Sequence, residues 1–354
     1  MDRTITPESI ISKYYIPHNS LYNLISYAYR GMEVNTINIY VDLYGIYHNI
    51  HSREYRTTIT DPLSFTSLII NLCAHYRTFF KKLDIYSKIF LISSFNVPKD
   101  SLSIIPYYNR DMVDKLNNRL IGDTIDFNIE LLELLCPYLP DIHFIKTEFE
   151  SSVVMNEIMN RESVDQSLII STDIYPAQLC TIRPNVSLIC PKRTFKGEES
   201  SIIPQNTHVE AKETFWRAII RKISNSLSFE RVGSLSPSNM ILLGSFYQLK
   251  DRCFPITLNI FQSLNLITKT IGFDSIRLTP QSVFDSCKDN PLNEDLKYII
   301  DNRYKTLDIQ YQSILFNNSI EYNTLHYENL QDNNAINTIN DKYFSKNPID
   351  IFRL

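Results

Sequence analysis

The sequence predicts an α/β protein with a central, mostly parallel sheet flanked by helices. Four β-rich runs, each apolar on both faces, occur in the order INIYVDLYG, KIFLISSF, IHFIK and SLIISTD, and VSLIC is predicted as a fifth strand. Helical patterns separate most of these runs. Strands that are buried on both faces and joined through helices are typical of right-handed β-α-β units, which build parallel sheets.

Apolar periodicity and start signals predict the helices. Ser20 is expected to cap a first helix, LYNLISYAYR, which ends at Gly31, and Asp61 followed by Pro62 is expected to start a second. The remaining predicted helices are IELLELL, TEFESSVVMNEIM as a strand-to-helix turn, KETFWRAIIRKI, PSNMILLGSFYQL and PITLNIFQSLNLI. Three regions follow from this order: an α/β domain at 1–195, a helical region at 196–330 and a polar tail at 331–354.

Composition restricts the classes of function. The net charge of −4 gives no global attraction to a polyanion, so a nucleic-acid partner requires a local basic patch. Six cysteines without a CxxC pair favour buried, reduced thiols over a zinc site or a disulfide framework. With neither a signal-like N-terminus nor a membrane-spanning apolar run, we expect an intracellular protein, cytoplasmic or viral, with no membrane partner.

Polar side chains follow the predicted strands at the point where each strand ends. Since the carboxyl ends of parallel strands meet at one edge of a sheet, these side chains are expected to share a site. Converging carboxylates would hold a hard cation such as Mg²⁺ or Mn²⁺, although acidic residues at strand ends also cap helices. The residues in question are Asp42, Ser93, Ser94, Glu148, Glu150 and Asp173.

The stretch SLIISTDIYPAQL resembles a motif of the flap-endonuclease and phage 5′-3′ exonuclease family (XPG/PIN-like). In that family a buried strand ends in S-G-D-x-D and is followed by Q-L. Ser171, Asp173, Gln178 and Leu179 match the motif, whereas Thr172 and Tyr175 replace the glycine and the second aspartate.

Other segments are similar to further motifs of this family in the same order, over about residues 20–195. INIYVDLYG matches the first strand and its aspartate, Asp42, and IFLISSF is similar to a strand that ends in Phe-Asp-Gly, with Ser94 at the aspartate position. PYYNR resembles a Y-K-x-x-R stretch and retains Arg110. FESSVVMNEIM is similar to an E-A-D-D segment, with Glu150 at the glutamate and Ser152 and Val153 in place of the aspartates.

The resemblance implies a metal-dependent nuclease fold with a reduced set of carboxylates. Asp42, Glu150 and Asp173 remain as catalytic metal ligands, and Glu148 is a substitute ligand. Serine and valine do not supply the charge of a carboxylate, so the second of the family's two metal sites is expected to be lost. The family's helix-hairpin-helix region corresponds to SPSNMILLGSFYQLKDRCFP, but the chain has no GxG turn for close approach to a phosphate.

Basic residues in three places are predicted to contact nucleic acid. Arg217 and Arg221 lie one turn apart on a predicted helix and share a face, which suits a phosphate backbone. A solvated helix face explains them equally well. The predicted contact residues are Arg110, Lys192, Arg193, Lys196, Arg217 and Arg221.

Three functions remain open from the sequence. The first is a catalytically degenerate 5′-nuclease-like protein that binds DNA or RNA, or a protein partner within a viral nucleic-acid or virion assembly. The second is an active Mg²⁺- or Mn²⁺-dependent 5′-3′ exonuclease or flap endonuclease. The third is a purely structural interaction protein that docks to a larger assembly.

Overall fold

The computed structural model describes eleven ranges of the chain: 34–50, 64–94, 122–147, 149–171, 176–183, 185–191, 200–203, 237–246, 279–286, 294–316 and 333–343. The strands are β1 (Thr36–Asp42), β2 (Tyr86–Ser93), β3 (Ile142–Lys146), β4 (Gln166–Ile170), β5 (Val186–Pro191) and β6 (Ser200–Ile203). The first helices are α1 (Leu43–Ile50), α2 (Ser64–Lys81), α3 (Gly122–Leu135), α4 (Ser151–Arg161) and α5 (Ala177–Ile182). The later helices are α6 (Pro237–Phe246), α7 (Pro280–Ser286), α8 (Glu294–Leu307), α9 (Ile309–Phe316) and α10 (Asn333–Tyr343).

The described strands form one sheet in the order β3-β2-β1-β4-β5-β6. Neighbouring strands from β3 through β5 are parallel, and β6 runs antiparallel to β5 at the edge. The predicted fold class, a mostly parallel sheet flanked by helices, is therefore confirmed. All five predicted strands are present, whereas β6 was not predicted.

The two faces of the sheet are covered by different helices. In β1 the side chains of Ile37, Ile39 and Val41 belong to the main hydrophobic core, together with buried residues of α2 and α3. Strand residues alternate between faces, so Asn38 and Tyr40 lie on the opposite face. There Asn38 Nδ2 donates to Glu162, the residue that follows α4, over 3.2 Å. The sheet thus lies between two helical layers, which explains why β1 is buried on both sides.

A stack of three rings crosses the second face. Tyr40, Phe90 and His143 occupy the same register position on β1, β2 and β3. The ring centroids of Tyr40 and Phe90 are 5.3 Å apart, and those of Phe90 and His143 are 5.1 Å apart. Burial raises the pKa of Tyr40 to about 12, so its phenol is protonated at neutral pH. These cross-strand pairs help to fix the register of the three strands.

The described C-terminal helices pack on the α/β domain. Helix α9 lies against α4, and α6 contacts both α8 and α5. Within the predicted polar tail, α10 places Ile339 in the main core and Tyr343 near Phe127 of α3, with 6.1 Å between the ring centroids. In the described part of the chain, no helix is long and apolar enough to span a membrane. The helices predicted from LYNLISYAYR, KETFWRAIIRKI and PITLNIFQSLNLI lie outside the described residues.

Buried cysteines occur within the described elements. Cys73, Cys136 and Cys180 are free thiols. Burial raises the pKa of Cys73 and of Cys180 to about 12 and that of Cys136 well above its ordinary value. Since the thiolate is the reactive form, these three thiols are inert at neutral pH.

An exposed carboxylate ties the start of β1 to the start of β4. Asp165 Oδ2 accepts hydrogen bonds from the backbone N–H groups of Asn35 and Thr36, each over 2.9 Å, and from the Thr36 hydroxyl over 3.1 Å. The bond from Asn35 is the largest cause that holds the pKa of Asp165 below its ordinary value of 3.8.

Replacing Asp165 with Asn is expected to lower the free energy of unfolding by about 1 kcal/mol or less, because the carboxylate is exposed. The pKa of Asp165 is lower in the folded state than in the unfolded state. Its contribution to the free energy of unfolding is therefore present above about pH 4 and is lost as the pH falls further. Urea unfolding at pH 7 and pH 3 measures this difference, with exposed Asp341→Asn as the control. An equal loss at both pH values would contradict the prediction.

Candidate functional site

The candidate site lies at the carboxyl ends of β1 and β4. From β1 the chain builds outward through β2 and β3 and then returns to place β4 on the other side of β1. The connections after β1 and β4 therefore leave in opposite directions and open a crevice between the two strand ends. In open parallel sheets, ligands bind at this kind of switch point.

Asp42 is the last residue of β1 and is buried at the switch point, with 4% of its surface exposed. Its Oδ1 accepts a hydrogen bond from the backbone N–H of Gly45 over 3.1 Å, which caps the first turn of α1. Its Oδ2 accepts the hydroxyl of Ser171 over 2.8 Å. Both carboxylate oxygens are thus engaged by the fold, as a buried charge requires.

Ser171 directly follows β4 and has no exposed surface. Its backbone N–H donates to the carbonyl of Ile189 in β5 over 3.1 Å. Its side chain reaches in the other direction, to Asp42 in β1. Ser171 therefore connects three neighbouring strands at the edge where the site is expected.

Glu150 follows β3 and occupies the N-cap position of α4. Its backbone carbonyl accepts from the N–H groups of Val153 and Val154 over 3.0 and 3.2 Å. A carboxylate at this position is favoured by the positive end of the helix dipole. The loop before it is held to β2 because Thr147 N–H donates to the Ser93 carbonyl over 2.9 Å.

Serine hydroxyls occupy much of the same edge. Ser93 ends β2 and Ser94 follows it, and Ser151 and Ser152 open α4. All four side chains are buried. A serine hydroxyl is neutral, so the described edge carries hydroxyl groups at two positions where the resemblance implies aspartates, Ser94 and Ser152.

The structure places Asp42 and Glu150 at the same edge of the sheet, as the sequence predicts for both. Glu148 and Asp173, the other predicted ligands, lie outside the described residues. The predicted nucleic-acid contacts Arg110, Lys192, Arg193, Lys196, Arg217 and Arg221 lie outside them as well. Within the described ranges, no group of three or more His, Cys, Asp or Glu side chains is arranged to hold a metal ion.

Two contacts at the site were not predicted. The sequence identifies Ser171 only as a motif match, and its bond to Asp42 spans 129 residues. Gln178 is also only a motif match in the sequence, whereas in the structure its Oε1 accepts the backbone N–H of Ile309 over 2.8 Å. The motif pointed to both residues, but their partners depend on strand order and on the docking of a distant helix.

No protein-family model and no curated protein matches the chain. The solved structures to which it is similar include T5 5′-exonuclease with bound zinc, at 13% identity and a TM-score of 0.45, covering 89% of this chain and 98% of that one. The catalytic core of Rad2 in complex with DNA substrate matches at 12% identity and a TM-score of 0.40, covering 94% of this chain and 96% of that one. Flap endonuclease-1 from Methanococcus jannaschii matches at 12% identity and a TM-score of 0.33, covering 78% of this chain and 93% of that one.

These identities and TM-scores are too low to assign a function to the chain. The function proposed below is therefore argued from the residues of this chain.

Replacing Ser171 with Ala is expected to lower the free energy of unfolding by about 1–3 kcal/mol, because a buried carboxylate loses a hydrogen-bond donor. Chemical denaturation of the wild type and the variant measures the change. The matched control is Ser187→Ala, a buried serine on β5, which β4 separates from β1. A double-mutant cycle with Asp42→Asn isolates the pair. Equal losses in the two serine variants, with no coupling in the cycle, would contradict the prediction.

Proposed function

We propose that the chain is a catalytically degenerate 5′-nuclease-like protein that binds nucleic acid at the carboxyl edge of its sheet. The observation that supports this proposal is the bonding of Asp42. Its two oxygens accept hydrogen bonds from Gly45 and Ser171, so the carboxylate already has a structural role in a buried position. Serines fill the neighbouring strand and helix ends.

The chemistry of the reaction favours a degenerate centre. Hydrolysis of a phosphodiester by a metal ion needs carboxylates that fix the ion, so that it activates water and neutralises developing charge. Of the predicted metal ligands, Asp42 and Glu150 lie within the residues that the structure describes. Both oxygens of Asp42 accept hydrogen bonds from within the protein. The described residues do not by themselves compose a metal site.

Nucleic acid remains the proposed partner because the sequence also offers basic residues, which would hold its phosphates. Arg217 and Arg221 share a helix face in the sequence pattern, and Lys192, Arg193 and Lys196 lie close together in the chain. With a net charge of −4, binding would come from this local patch. Affinity for DNA or RNA is therefore expected to fall steeply with salt.

An active nuclease is the second candidate. Asp42 and Glu150 both follow strands at the carboxyl edge, and Asp42 lies at the switch point. Together with Asp173 and Glu148, they would hold Mg²⁺ or Mn²⁺, and the bound metal would supply an activated water. An interaction protein that binds neither metal nor nucleic acid is the third candidate, and it is an outcome of the same experiment.

The test combines cleavage and binding. Flap, single-stranded and duplex DNA labelled at the 5′ end are incubated with Mn²⁺ and either wild type or Asp42→Ala/Asp173→Ala. We expect no cleavage by either protein. Fluorescence anisotropy is expected to show binding of the same DNA, with Arg217→Ala/Arg221→Ala reducing the salt slope by about 2.

The matched control for the arginine pair is Lys297→Ala/Lys305→Ala on α8, which removes the same charge from a different helix. Its affinity is expected to stay close to that of the wild type. Cleavage that the Asp42→Ala/Asp173→Ala variant abolishes would favour the active nuclease. Neither cleavage nor binding by the wild type would favour the interaction protein.

A further inference from the structure

Helix α9 is built into the α/β domain although it lies in the C-terminal part of the chain. It packs along α4, and its residues Ile309, Gln312 and Ser313 are buried. Buried Asp308 caps it, since its Oδ1 accepts from the N–H groups of Gln310 and Tyr311 over 3.0 and 3.3 Å. The helix is therefore fixed at its start as well as along one side.

The first contact joins α9 to α5. The N–H of Ile309, the first residue of α9, has no acceptor within its own helix. Gln178 of α5 supplies one: its Oε1 accepts this N–H over 2.8 Å, and the side chain has no exposed surface. Replacing this oxygen with an apolar group would leave a buried donor without a partner, which is costly.

The second contact joins α9 to α4. The Ser313 hydroxyl donates to Glu157 Oε2 over 3.0 Å. Glu157 is itself buried and also accepts from Arg161 Nε over 3.0 Å. A buried carboxylate must be paired and hydrogen-bonded to be tolerated. The serine therefore gives Glu157 Oε2 a second and shorter hydrogen bond, from the C-terminal part of the chain, beside the one that Asn160 Nδ2 donates over 3.4 Å.

The two helices that α9 joins both begin at the candidate site. Helix α4 starts directly after Glu150, and α5 starts six residues after Ser171, the partner of Asp42. A helix moves largely as a rigid unit, so a contact made along its length also restrains its start. Helix α9 thus fixes the helices that flank the carboxyl edge from opposite sides of β1.

We infer that α9 is a brace for the candidate site, and that Gln178 and Ser313 are positioning residues that couple ligand binding at the edge to the C-terminal helices. The coupling rests on the proposed function, because the ligand is a nucleic acid bound at that edge. Coupling between two sites is reciprocal. Nucleic acid bound at the edge must then slow hydrogen exchange in α9, and a variant that loosens α9 must bind nucleic acid more weakly.

The test uses the full chain with Gln178→Met/Ser313→Ala. Native-state hydrogen exchange, read by mass spectrometry, is expected to be about tenfold or more faster at residues 151–154 and 177–180. The affinity for a 5′-labelled single-stranded oligonucleotide is expected to fall about fivefold or more. In wild type, the same oligonucleotide is expected to slow exchange at residues 309–316.

One matched variant controls the experiment. Gln281→Met/Ser282→Ala makes the same chemical changes on α7 and is expected to behave as wild type. If Gln178→Met/Ser313→Ala does not fold, Ser313→Ala alone provides the same comparison with one bond removed.

If hydrogen exchange at residues 151–154 and 177–180 is unchanged in a folded variant, α9 does not brace the site. If exchange there is faster but the affinity for the oligonucleotide is unchanged, α9 is not coupled to ligand binding. If wild type binds no oligonucleotide, the proposed function fails. The hydrogen-exchange comparison of wild type with the variant needs no ligand, so it still tests whether α9 restrains the starts of α4 and α5.

Discussion

Asp42 accepts one hydrogen bond from Ser171 and one from the backbone of Gly45, and the arrangement of the site depends on this pair of bonds. Through them a single buried carboxylate joins the end of β1, the start of α1 and the end of β4. A charge in this position is tolerated only because both oxygens have donors. The Ser171 donor is in place only if β1 and β4 are parallel neighbours in the observed register. The bond between Asp42 and Ser171 therefore depends on the order of the strands in the sheet.

Hydroxyl groups give this edge a different electrostatic character from a cluster of carboxylates. Carboxylates held close together repel one another, and a bound cation or a proton usually relieves that repulsion. Ser94, Ser152 and Ser171 carry no charge, so the edge is compatible with a folded protein that holds no ion.

The sequence predicted the sheet better than it predicted the contacts of the site. Apolar runs such as IHFIK and SLIISTD predicted strands because burial on both faces leaves a direct pattern in the residues. Asp42 and Glu150 were predicted at strand ends for the same reason. The partners Ser171 and Ile309 were not predicted, because strand order and helix docking join residues more than a hundred positions apart. The weakly periodic, Asn-rich stretch that forms α10 gave no helical signal, since tertiary packing of Ile339 and Tyr343 stabilises it.

We propose that the carboxyl edge is held together by hydrogen bonds and does not form a metal centre. Titration of the protein with Mn²⁺, followed by the electron paramagnetic resonance signal of the free ion, tests it most directly. We expect wild type and Asp42→Asn to leave the same free Mn²⁺ signal at every concentration. If the wild type removes Mn²⁺ from solution and Asp42→Asn does not, the edge is a metal site.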